Sequence, residues 1–106
     1  MEIIIQAHNA SVSEQLRERA TRAVGRAAGR VRGAVDAVVR FEADGPDRRV
    51  LLQLHAARQR SLVSQATASR YEDALSDAIT RLESQLRQAK RAHRGTRASG
   101  EGPLTA

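Results

Sequence analysis

The sequence predicts an α+β fold of order β-α-β-β-β-α, with two helices packed on one face of a four-stranded sheet. Three observations carry this. A short β-branched run opens the chain, two stretches repeat apolar residues at helical spacing, and between them two segments of period two and a weaker third are bounded by turns. With 106 residues the chain has room for one domain and excludes a multidomain enzyme.

Ile3, Ile4 and Ile5 within Glu2 to His8 form the first strand, too short for a helix and bounded by Asn9. Ser11 or Ser13 then offers an N-cap, and Glu14 and Glu18 place negative charge where the helix dipole favours it. From Leu16 the positions Ala20, Ala23, Val24, Ala27 and Val31 draw one stripe along a helix of about 18 residues that stops at Gly33. Gly25, Gly29 and Gly33 weaken its second half by about 1 kcal/mol each relative to alanine.

Val35, Ala37, Val39, Phe41 and Ala43 then alternate with Asp36, Val38, Arg40 and Glu42, the period of two expected for a half-buried strand. Asp44-Gly45-Pro46-Asp47 is a turn, Val50, Leu52, Leu54 and Ala56 mark the next strand, and a turn near Ala57 to Gln59 leads to a strand over about Arg60 to Thr67. These three consecutive strands are expected to pair antiparallel. Ser69 is positioned to cap a last helix with the stripe Leu75, Ala78, Ile79, Leu82, Leu86 and Ala89, about 24 residues long. The domain is therefore expected over residues 1–92, with a disordered polar tail over 93–106.

Composition narrows the function. Cysteine is absent, which removes disulfides, thiolate nucleophiles and thiolate metal sites and fits a reducing compartment. No apolar run approaches the roughly 20 residues needed to cross a bilayer, so a soluble cytoplasmic protein is expected. Aromatic residues are limited to Phe41 and Tyr71, so the core must be aliphatic and alanine-rich, and stacking on single-stranded bases is disfavoured. His8, His55 and His93 stand at no ligand spacing with one another or with a carboxylate pair. No phosphate-loop or nucleophile-elbow motif occurs. Neither an enzyme nor a bound metal, cofactor or small-molecule substrate is expected.

The net charge of +6 is unevenly placed: residues 17–32 hold six arginines against one acid, and residues 81–106 hold six basic against two acidic residues. Arg19, Arg22, Arg26 and Arg30 lie three, four and four residues apart, one ladder beside the apolar stripe. Arg81, Arg87, Arg91 and Arg94, with Lys90 at the border, give the last helix a second basic set. A solvated helix face would account for one such ladder. Two on helices covering the same side of a sheet point to a phosphate-bearing partner, read by backbone and shape. An acidic protein partner is the alternative. An anionic membrane fits less well, because the face opposite the charge is needed for the core.

The opening, Ile3-Ile-Ile-Gln-Ala-His-Asn9 followed by Val12-Ser-Glu-Gln-Leu-Arg-Glu18, resembles that of the ribosome hibernation promoting factors, also called ribosomal subunit interface or sigma-54 modulation proteins. The closing helix, Asp73 to Arg87 with Lys90 beyond, is similar to the family's second helix. The resemblance covers about residues 2 to 94 and implies a double-stranded-RNA-binding-domain-like fold. It also implies binding to rRNA of the small ribosomal subunit, in the channel for mRNA and tRNA, through basic residues on both helices, with translation blocked in stationary cells. Arg26 takes the place of a family lysine, and Arg81, Arg87 and Lys90 take basic places on the second helix. Arg22 sits one residue from another such place, and Arg91 and Arg94 are added by charge geometry. The length corresponds to the family's short form, expected to be a monomer when free.

Overall fold

The computed structural model describes residues 1–8, 10–57 and 60–99, with side chains over 1–8, 10–57 and 61–88. The elements are β1 (Glu2–His8), α1 (Glu14–Ala28), β2 (Ala34–Asp44), β3 (Asp47–Ala56), β4 (Arg60–Ala68) and α2 (Tyr71–Ser99), the order read from the sequence. The strands stand in the order β1-β2-β3-β4. β2, β3 and β4 form the expected antiparallel meander. β1 pairs with β2 in parallel, which requires a crossover between them, and α1 supplies it.

Ser13, not Ser11, caps α1: its backbone is extended and its Oγ accepts the Leu16 N–H at 3.1 Å. The helix ends at Ala28, three residues before the apolar stripe does. Gly29 keeps a right-handed conformation, and the chain tightens into turns in which the Arg30 and Val31 N–H groups donate to the Ala27 and Ala28 carbonyls. Val31 still packs against the core, from the loop. Gly33, at φ +79°, is the residue that releases the chain into β2, and its carbonyl accepts the Ala57 N–H at 2.7 Å. Of the turn expected near Ala57 to Gln59, residues 58 and 59 lie outside the described residues.

The inward face of the sheet carries Ala37, Val39, Phe41, Val50, Leu52, Leu54 and Ala66, all buried, as the alternation requires. Val35 departs from it. A register shift between Ala34 and Asp36 sets Ala34 opposite Ala56 and Asp36 opposite His55, leaving Val35 unpaired and 55% exposed. Ala34 packs toward the core instead.

α2 begins at Tyr71, with the Arg70 carbonyl accepting the Ala74 N–H, so Ser69 lies before the first turn. Ala74, Leu75, Ala78, Leu82 and Leu86 seal the sheet, and the buried Ser64 Oγ donates to the Ala78 carbonyl at 2.9 Å. Tyr71 meets Phe41 edge-on with ring centroids 5.5 Å apart. The helical backbone continues to Ser99, so the boundary expected at residue 93 falls inside α2. Residues 87–94, rich in arginine, alanine, glutamine and lysine, have the composition to propagate a helix. The remainder of the expected tail, 100–106, lies outside the described residues.

Two glycine substitutions should move stability in opposite directions. Gly25 lies inside α1, and an added Cβ would meet only Ile3 Cδ1, at 3.9 Å; Gly25→Ala should gain about 1 kcal/mol, raising the melting temperature by about 4–8 °C. At Gly33 a Cβ would sit 2.9 Å from Ala57 Cβ, and Gly33→Ala should lose at least about 1–2 kcal/mol. Thermal unfolding followed by circular dichroism measures both. Leu82, with no exposed surface, should cost about 2–5 kcal/mol as Leu82→Ala, read in denaturant titrations.

Candidate nucleic-acid interface

Burial of Leu16, Ala20, Val24 and Ala27 against the sheet fixes which side of α1 faces out. The arginine ladder is carried on the flank and outer surface. Arg19 Nη2 donates to Ser76 Oγ at 3.0 Å, and Arg30 Nη1 lies 3.7 Å from Glu83. Both contacts cross to α2, and they run in the same order along the two helices, which therefore lie side by side in the same sense. Between them Arg22 and Arg26 are exposed, and neither has a carboxylate within 4.0 Å among the described residues.

On α2, Ser76, Thr80, Glu83 and Arg87 are spaced four, three and four residues apart and so share the side turned toward α1. Arg87 is exposed and extends the surface begun by Arg22 and Arg26. Arg81 does not. It projects from the opposite flank of α2, over the edge of the sheet, where Nη1 donates to the Gln65 carbonyl at 2.9 Å. Arg87 thus lies on the flank of α2 that faces α1, one turn beyond Glu83, whereas Arg81 lies on the other flank. Lys90 and Arg91, with Arg94, lie on the helical backbone of α2, but their side chains fall outside the described set. The sequence placed Arg19 and Arg30 in the same ladder, but their contacts with Ser76 and Glu83 are tertiary and could not be read from spacing.

The opposite face of the sheet is uncovered and its charges compensate one another. Arg40 Nε lies 2.9 Å from Glu42, and Arg49 lies 3.4 Å from Glu42 and 3.8 Å from Asp44. There the register sets Asp36 beside His55, whose Nδ1 pairs with the Asp36 carboxylate, a partnership that sequence spacing did not reveal. Both side chains are part-exposed on the open face. Among the described residues no three histidine, aspartate or glutamate side chains converge as a metal site. No described helix is long and apolar enough to cross a membrane.

A family model described as sigma 54 modulation protein / S30EA ribosomal protein matches residues 3–94. The chain belongs to this family. The resemblance read from the opening strand and the closing helix is thereby borne out. Among solved structures, a ribosomal subunit interface protein from Coxiella burnetii is similar with a TM-score of 0.75 and 17% identity, over 86% of this chain and 99% of that one. The Protein Y N-terminal domain of Thermus thermophilus is similar with a TM-score of 0.72 and 19% identity, over 83% of this chain and 98% of that one. At these identities the likeness establishes a shared fold, the α+β arrangement described above. No match was found among curated proteins.

Among the described residues Glu83 is the one carboxylate paired with the ladder, at the long distance and partial exposure that make an ion pair worth little. Glu83→Gln should therefore change stability by less than about 1 kcal/mol while making the surface more basic. Later elution from a heparin column, with an unchanged melting curve, is the expected outcome.

Proposed function

We propose that this family member binds the small ribosomal subunit and occupies its mRNA and tRNA channel, holding idle ribosomes silent. The observation that carries the reading is the patch of Arg22, Arg26 and Arg87: exposed, without acidic partners among the described residues, and borne on the two helices of a chain belonging to a ribosome-linked family. Guanidinium groups one helical turn apart suit a phosphate backbone, and contacts of this type need neither base-stacking aromatics nor a pocket. Lys90 and Arg91 extend the same rRNA-binding role toward the end of α2, while Arg81 contributes less, because one arm of its guanidinium is engaged at the sheet edge. The protein works without catalysis or cofactor, in the cytoplasm, as a free monomer before it binds. Its effect is exclusion: mRNA and tRNA cannot enter a channel already filled.

The sigma-54 part of the family description supports a second reading, in which the same basic surface docks an acidic protein. Purified protein carrying nucleic acid, seen as a high absorbance ratio at 260 over 280 nm, argues against it.

Cosedimentation with small subunits at several salt concentrations tests the proposal. Binding through phosphates should weaken linearly in log affinity against log salt, by about 0.7–0.9 per phosphate engaged. The variant Arg22→Glu/Arg26→Glu/Arg87→Glu should lose at least about tenfold in affinity and flatten the slope by about one for each phosphate contact removed. Pelleting equal to that of the unaltered chain at every salt concentration would overturn the assignment.

A further inference from the structure

β4 ends the sheet on one side, so one row of its backbone groups has no strand to pair with. Edge strands of this kind are usually blunted by charge, proline, a bulge or a covering element. Residues 61–68, Ser-Leu-Val-Ser-Gln-Ala-Thr-Ala, contain no charged residue, no proline and no glycine, and β4 pairs with β3 in unbroken register along its whole length. Beyond Arg60, its first residue, the strand itself carries no charge, proline or bulge.

The protection comes from α2. Arg81 Nη1 donates to the Gln65 carbonyl at 2.9 Å, and Gln85 Nε2 donates to the Val63 carbonyl at 2.7 Å. In an antiparallel ladder the N–H and C=O of one residue point to the same side and alternate along the strand. Val63 and Gln65 therefore belong to the outward row, together with Ser61 and Thr67. The spacings match: residues four apart on a helix advance about 6.0 Å, and residues two apart on a strand advance about 6.6 Å. Two side chains one helical turn apart thus reach two alternate carbonyls of a strand running the opposite way. The buried bond from Ser64 Oγ to the Ala78 carbonyl fixes that alignment from inside.

We propose that Arg81 and Gln85 guard the β4 edge, capping alternate outward carbonyls and so preventing a second copy of this chain from adding its own β4 to the sheet. A second copy is the fitting occupant because a two-fold antiparallel β4 pair would lay the uncharged 61–68 segments of two strands against each other, with the two Arg60 residues at opposite ends of the pair. It would also extend the uncovered face on which Val63 is 47% exposed and Ile4 is 39% exposed. This assignment does not depend on what the α1 surface binds, and it gives Arg81 a role distinct from that of Arg22, Arg26 and Arg87.

The test is sedimentation velocity of the full chain across a wide concentration range, with circular dichroism on the same samples. The unaltered protein should sediment as a monomer throughout. Arg81→Ala/Gln85→Ala, made at partly or fully exposed positions with a strong helix former, should keep its spectrum and shift with concentration toward twice the monomer mass, and each single variant should shift less. Adding Val63→Pro to the double variant should restore the monomer, since the outward Val63 N–H donates nothing to β3 and proline is tolerated at such an edge position. A folded double variant that stays monomeric, association that survives Val63→Pro, or loss of the folded spectrum in both single variants would overturn the proposal.

Discussion

The closeness with which α2 lies on β3 and β4 governs the rest of the molecule. Ala74 and Ala78 have no exposed surface at that contact, flanked by Leu75, Leu82 and Leu86, so the helix axis can approach the strands and the buried Ser64 hydroxyl can reach its carbonyl. Ala20, Ala27 and Ala28 do the same for α1. A core whose one fully buried ring is Phe41 cannot hold helices at a distance, and it gains its energy from small residues packed densely. Every charged residue of the helices whose side chain is described is thereby driven to the flanks and the outer surface.

Element type was legible because it depends on local periodicity and turn chemistry. The alternation from Ala37 to Phe41 and from Val50 to Ala56 gave the inward face correctly, and Asp44 to Asp47 gave the hairpin. What was not legible is set by contacts remote in sequence. The parallel pairing of β1 with β2 follows from where the crossover helix docks, and the exposure of Val35 follows from a bulge that no local pattern signals. α1 stops at Ala28 although its stripe runs on to Val31, because apolar spacing persists through turns that are no longer helical.

The basic residues show the same division. That Arg22 and Arg26 would share a helix face was readable from their spacing. That Arg87 would lie on the side of α2 facing α1 while Arg81 would not depends on which flank of α2 meets α1 and which meets the edge of the sheet, and a helical stripe is symmetric about that choice. Charge alone therefore merged into one set residues that the fold assigns to two places. Asp36 and His55, nineteen residues apart, meet only through strand register.

The account rests on one orientation: the α1 surface, with Arg87, turned toward phosphate, and the uncovered face of the sheet turned away. Cryo-electron microscopy of the full chain bound to the small ribosomal subunit reads that orientation directly. The account predicts density in the mRNA and tRNA channel with Arg22, Arg26 and Arg87 against the rRNA backbone. Density that places the open sheet face, with Ile4 and Val63, against the RNA, or that places the chain outside the channel, would contradict it.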